Sequence, residues 1–428
     1  MKLELCKIAV RQLRFGGKTE VVSGTLTVNK EELKALLLED GRLASVDFDL
    51  AHPGDSTRIM PVKDAIEPRC KLEGPGDVFP GFIGPVETVG TGKTLVLEGM
   101  AVLTAGRLVA AQEGIVDMSG PGADYTPFSK TCNLVVLLTP REDVALHEAE
   151  HTCRIAGFKA AHYLANCCRN AKAETSSVYD FPPLAEAMKA HPGLPKVGYL
   201  YMLQSQGLLH DTWVYGVDAK KTLPSMISPT EIMDGAIVSG NCVSACDKNN
   251  TYVHQNNPII EALFKRHGKD LNFVGVVISN ENVTLADKQR SSSYAVNLLK
   301  MLGVDAAVIS EEGFGNPDAD LVLNCVKAER AGIKTVLVTD EYAGANGASQ
   351  SLADSCQEGT AVVTGGNANM TIILPPMDKI IGDIGQADVI AGGFFGSKRE
   401  DGSLEVEIQA ILAATNELGF NKIGAYTI

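Results

Sequence analysis

Phe273-Val274-Gly275-Val276-Val277-Ile278 is an apolar run that ends in the polar tip Ser279-Asn280-Glu281-Asn282. Six apolar residues bounded by polar ones have the length of a buried strand and are too few for a helix. Further apolar runs recur at 306–309, 335–338, 361–364 and 389–390, with helix-length segments between them. Strands separated by helices imply parallel pairing, because a parallel crossover needs a dozen or more residues and is usually helical. The expectation is a doubly wound α/β sheet. Other runs also end in polar or glycine-rich tips, namely Glu311-Glu312-Gly313, Thr339-Asp340-Glu341 and Gly365-Gly366-Asn367. Ligands of open α/β sheets bind beside such carboxyl ends.

Upstream, an apolar strand at 134–138, helical periodicity over 141–165 and an apolar strand at 196–202 read as βαβ and again as a parallel sheet. The N-terminal third is different in character. Strand-like runs at 3–13, 20–28 and 45–50 surround a helix at 30–38, and seven Gly and Pro residues crowd between Gly74 and Pro85. The fold class is therefore α/β, with a β-rich N-terminal region (1–125), an α/β half (126–241) and a doubly wound α/β unit (242–428).

The 428 residues carry 38 lysines and arginines against 52 acids, a formal net charge of -14. Residues 1–241 hold 24 basic and 29 acidic residues and 242–428 hold 14 and 23, so the average hides no basic arm. That balance disfavours nucleic acid phosphates and anionic membrane surfaces as partners. Lys2, Glu4 and Lys7 interrupt the start, and the longest apolar stretch, 95–111, contains Glu98 and Arg107. It also falls short of the ~18–20 residues that span a bilayer. A cytoplasmic protein is expected, with most of its ten scattered cysteines reduced and structural.

Three motifs carry possible chemistry. His147-Glu148-Ala149-Glu150-His151 matches H-E-x-x-H, whose histidines sit one helical turn apart as zinc requires. The extended pattern would need Gly at 154 and His at 157, where the chain has Arg154 and Gly157. A charged helix face is the plainer reading, and no metal is expected. Gly365-Gly366 and Gly392-Gly393 complete neither G-x-G-x-x-G nor a P-loop and read as turns. Cys242 and Cys246 stand in Ser239-Gly240-Asn241-Cys242-Val243-Ser244-Ala245-Cys246-Asp247. Their C-x3-C spacing fits neither a thioredoxin-like redox pair nor a four-cysteine zinc site.

For this loop a plain linker is one reading and self-processing another. A cysteine in a strained turn attacks the carbonyl of its preceding peptide bond, turning the amide into a thioester, and the small pair Gly240-Asn241 gives access. Elimination leaves dehydroalanine, which tautomerises and hydrolyses to a pyruvoyl group with loss of ammonia. The chain becomes two. A pyruvoyl carbonyl condenses with a substrate amine to a Schiff base, an electrophile that no encoded side chain provides.

The runs Met202-Leu203-Gln204-Ser205-Gln206-Gly207-Leu208-Leu209-His210-Asp211, Tyr215-Gly216-Val217-Asp218-Ala219-Lys220, Pro229-Thr230-Glu231-Ile232-Met233-Asp234-Gly235-Ala236 and Ser239-Gly240-Asn241-Cys242, together with Glu311-Glu312-Gly313-Phe314-Gly315-Asn316-Pro317, resemble the component B proprotein of glycine, sarcosine and betaine reductases. Arg58-Ile59-Met60-Pro61-Val62-Lys63-Asp64 and Gln112 to Pro121 extend the resemblance over essentially the whole chain. It implies a cytoplasmic enzyme of amino-acid-fermenting anaerobes, cut at Asn241-Cys242 into a β chain (1–241) and an α chain (242–428) that begins with a pyruvoyl group made from Cys242. It further implies an oligomer and a relay of partners: a selenoprotein γ subunit, selenoprotein A, a component C that forms acetyl phosphate, and thioredoxin as the electron source. Glu231, Asp247 and His254 are candidate supporting residues, chosen by nearness in sequence, and Cys246 has no role in the resemblance. A non-catalytic scaffold for the partner subunits is the alternative, and a zinc hydrolase using His147 and His151 a third.

Overall fold

The computed structural model describes residues 1–106, 112–207, 209–240 and 244–419. In the first part of the chain, strands β1 (Lys2–Ala9), β2 (Leu43–Ala51), β3 (Thr57–Ile66), β4 (Arg69–Glu73), β5 (Gly92–Glu98), β6 (Met100–Gly106), β7 (Gly114–Asp117), β8 (Cys132–Pro140) and β9 (Thr175–Asp180) build two mixed sheets. One has the order β9-β1-β5-β4, the other β7-β3-β6-β8-β2. Helix α1 (Lys30–Leu38) forms where expected, capped by Asn29, whose side chain accepts the N–H groups of Glu31 and Glu32. The long helix α2 (Leu146–Cys167) buries Ala156, Phe158, Ala161 and Leu164 on the face of the second sheet that Leu134, Val136 and Leu138 share.

The central sheet uses β10 (Lys196–Leu203), β11 (Ser225–Ile227), β12 (Asn272–Asn280), β13 (Ala306–Ser310), β14 (Lys334–Glu341) and β15 (Ala361–Asn367) in the order β11-β12-β10-β13-β14-β15. All neighbours are parallel except the edge strand β11. Without that edge, the order counted along the chain is 2-1-3-4-5, a doubly wound pattern whose direction reverses between β10 and β13. Helices α4 (Leu285–Met301) and α5 (Asn316–Arg330) cover one face through Leu299 and Leu321, against Leu200, Met202, Val274 and Val277. Helix α3 (Pro258–Arg266) covers the other through Ile260 and Leu263, against Tyr199, Tyr201, Phe273, Val276 and Ile278.

Two details depart from the sequence reading. Strands β8 and β10 flank α2 but belong to different sheets: β9 follows the helix, pairs antiparallel with β1 and diverts the chain before β10. The run 389–390 is no strand; it follows a short 3-10 turn (Ile384–Asp388), being too brief to hold a ladder. Strand β16 (Lys379–Gly382) instead joins the N-terminal part, parallel to β3. No described helix is long and apolar enough to cross a membrane.

Candidate active site at the carboxyl edge of the central sheet

The polar tips converge. Glu281 follows β12, Glu311 and Glu312 follow β13, Asp340 lies in the end of β14, and Asp247 and Glu417 reach the same place from outside the sheet; all six are at most 1 % exposed. The Glu312 N–H donates to Glu281 Oε1 at 2.6 Å. Glu312 Oε1 accepts the Asn249 N–H at 2.9 Å, and its Oε2 accepts the Thr212 hydroxyl at 3.3 Å. Asn249 also donates to Glu417 Oε1 at 3.3 Å and accepts from Asn416 Nδ2 at 2.7 Å. Burial above all, and Asp247 with it, pushes the Glu312 carboxyl up to about 8. Burial likewise lifts Glu281, Glu311, Asp340 and Glu417 well above the usual carboxylate range, each carboxyl adding to its neighbours' rise.

A second wall carries paired charges of both signs. Glu150, buried on α2, pairs with Lys63 at 2.5 Å and with Arg154 and His210. Burial opposes its ionisation, but Arg154 and Lys63 hold its carboxyl well below the ordinary range. Arg154 also donates to the Ser239 carbonyl, while the Ser239 N–H donates to Thr251 Oγ1 at 3.2 Å. Thr251 in turn is held by Asp64, at 2.9 Å to its N–H and 2.7 Å to its hydroxyl. Gly240 lies so close to Asp211 and Thr212 that a Cβ would come within 2.2 Å of the Asp211 carbonyl carbon. On the far side, the Ala413 N–H donates to the Ala245 carbonyl at 2.8 Å and the Thr415 N–H to the Cys246 carbonyl at 3.1 Å. Asn241 and Cys242 lie outside the described residues, yet both flanks, Ser239-Gly240 and Ala245-Cys246, are fastened into this site.

Of the three supporting candidates, Asp247 falls within the acid cluster. Glu231 closes a capping box on Ser228 at 2.7 Å and accepts the Tyr215 hydroxyl at 2.6 Å. His254 is fully buried against Tyr201, with Nδ1 2.8 Å from the phenol oxygen, and burial lowers its pKa to about 3, so it stays neutral in the core. In H-E-x-x-H, Glu148 faces solvent and pairs with Arg42 at 2.7 Å. His210 joins His147 and His151, with ring centroids 5.4 and 6.0 Å away, but no histidine belongs to a close group of metal-ligating atoms among the described residues. Sequence reasoning missed Glu417, Lys63, Arg154 and Asn249. Lys63 and Arg154 stood as charges beside apolar residues, whereas Asn249 and Glu417 sit in polar runs that set neither apart.

The family model of the glycine/sarcosine/betaine reductase component B subunits matches residues 1–426. The chain belongs to that family. It is 58% identical to the glycine reductase complex component B subunits alpha and beta of Acetoanaerobium sticklandii, over 100% of both chains. Against Peptoclostridium acidaminophilum, this component B chain is 51% identical to the sarcosine reductase complex component B subunit alpha and 36% identical to the betaine reductase counterpart, over 99% and 98% of both chains. No solved structure matches.

Proposed function

We propose that this component B chain is a precursor cut between Asn241 and Cys242, whose matured site takes glycine as substrate for reductive C–N cleavage by a partner selenoprotein. The observation that carries the reading is the fastening of both flanks of residues 241–243 into one buried, acid-lined site at the point where the strand order reverses. Full-length identity is higher to the glycine reductase relative than to the sarcosine or betaine ones, which supports the choice of substrate.

The residues present fit a pyruvoyl group made from Cys242. Gly240 leaves no room for a side chain beside the Asp211–Thr212 peptide, so the main chain approaches that wall closely. Such a group would supply a ketone carbonyl that condenses with a primary or secondary amine. Around it, Arg154 and Thr251 orient the Ser239 peptide from both ends. Glu312, one hydrogen bond from Thr212, holds a proton up to about pH 8 and gives or takes one at Oε2 near neutrality. Glu281 Oε2, Glu311 Oε2 and Glu417 Oε2, buried and without a hydrogen-bond partner, offer acceptors to the N–H groups of an amine. Betaine, whose nitrogen carries no proton to lose, does not fit condensation. The relatives' designation as component B implies further components, here the selenoprotein γ subunit, selenoprotein A and component C.

Denaturing mass spectrometry is expected to show two fragments separated at 241/242, the second lighter than encoded and blocked to Edman sequencing. Borohydride with radiolabelled glycine should label that fragment. A Cys242→Ala chain still cut at this bond would refute the maturation, and a cut chain that traps no label would leave a scaffold instead.

A further inference from the structure

Cys246 has no place in the maturation proposed above, yet its surroundings are built. Its Sγ and one carboxylate oxygen each of Asp247 and Asp340 lie within 4.8 Å of one another, all three side chains buried. Thr415 ties the two contributing segments together: its N–H donates to the Cys246 carbonyl at 3.1 Å, and its hydroxyl to Asp340 Oδ2 at 2.8 Å. The other oxygen, Asp340 Oδ1, is fully buried and has no hydrogen-bond partner. Glu311 Oε2 and Glu417 Oε2 are in the same condition, and both carboxyls repel charge on Asp340. A buried polar atom left unsatisfied is destabilising, more so if charged. Protonation relieves repulsion between carboxylates; a cation among them relieves it too and gives the unpartnered oxygens a ligand to face.

We propose that Cys246, Asp247 and Asp340 bind a divalent transition-metal ion of the zinc class. A thiolate donor selects against magnesium and calcium, which take oxygen, and thiolate with carboxylates suits a borderline ion such as zinc. Donor atoms around four-coordinate zinc lie about 3.5 Å apart, so the trio closes on an ion through side-chain rotation of about an ångström. Three protein donors leave a fourth position for an exchangeable ligand. Binding replaces the Cys246 S–H bond by a sulfur–metal bond and releases to solvent the thiol proton together with the proton held by the buried carboxyls, with no change of oxidation state. This departs from the expectation of no metal, and it places the ion away from the H-E-x-x-H helix.

The test uses the full chain, purified and washed with chelator, then titrated with zinc and with cobalt(II). About one ion per chain is expected, and the cobalt form should show a thiolate-to-metal charge-transfer band. Cys246→Ser should abolish the band, and Asp340→Asn, close in shape, should weaken zinc binding at least tenfold; thermal melts establish that each variant is folded. Should Cys246→Ser fail to fold, Asp340→Asn decides. Stoichiometric binding with neither variant affected, or no stoichiometric binding by the unsubstituted chain, would overturn the site. The cut at 241/242, scored on the same samples, reports separately on the maturation.

Discussion

Glu312 illustrates how burial turns an ordinary side chain into a proton store. In the folded chain its carboxyl is lifted from 4.5 to about 8, chiefly by burial, with Asp247 pushing the same way and the Asn249 N–H and Lys248 opposing. The native state then keeps a proton that the unfolded state has already lost. Its contribution to stability is present in full below the ordinary carboxylate range and disappears as pH rises through 8. Unfolding free energies of the wild-type chain, read from urea titrations, should therefore fall from pH 5 to pH 8, by at most about 1.4 kcal/mol per pH unit for this one proton. Glu312→Gln should flatten part of that fall, the remainder belonging to Glu281 and the other lifted acids; an equal slope in the variant contradicts the assignment. At this scale much of the site was legible. Glu281, Glu311, Glu312 and Asp340 stood at strand tips, where parallel sheets present their ends to ligands. Asp247 was reached by nearness to Cys242, but that same criterion picked Glu231 and His254, whose side chains serve a helix cap and the core. Nearness along the chain says nothing of direction.

Gly275 shows the same limit in an element. The run 273–278 announced β12, but its continuous apolarity concealed which residue faces which side. Phe273, Val276 and Ile278 face α3, while Val274 and Val277 face α4 and α5. Strict alternation would put 273, 275 and 277 together. The pairing with β10 skips Val274, where Val197 opposes Phe273 and Gly198 opposes Gly275. This bulge adds one residue and resets the alternation. Gly275 adopts φ +148, a conformation side chains rarely take, although space around it is ordinary, with Leu302 3.7 Å from the point a Cβ would occupy. Gly275→Ala should therefore destabilise the protein by backbone strain rather than by collision, about 1–3 kcal/mol, read as a lower urea midpoint at unchanged slope. A wild-type midpoint would mean that the bulge relaxes freely. The glycine within a strand run was the available signal. By contrast, nothing local to 134–202 revealed that β9 would carry the chain to another sheet, since strand partners are chosen by distant residues.

In the whole molecule, strands pass in both directions across residue 242. Strand β10, from before it, lies between β12 and β13 at the centre of the parallel sheet, and β11 edges the same sheet. Strand β16, from after it, extends the N-terminal sheet along β3, pairing Ile380 with Arg58. Arg58 pairs with Asp117 at 2.7 Å inside that region and also donates to the Pro375 carbonyl at 3.0 Å. Breaking one peptide bond at 241/242 removes none of these pairings. The cut products should therefore elute together from a sizing column in native buffer and separate only in denaturant. Expressed alone, residues 242–428 would lack the first strand of their own sheet and expose the facing edges of β12 and β13, which invites aggregation. That fragment should be insoluble, and co-expression of residues 1–241 should bring it into solution by restoring β10. A fragment 242–428 that stays soluble alone and unfolds cooperatively would show instead that the central sheet closes without β10, and that the boundary at 242 separates independent folding units.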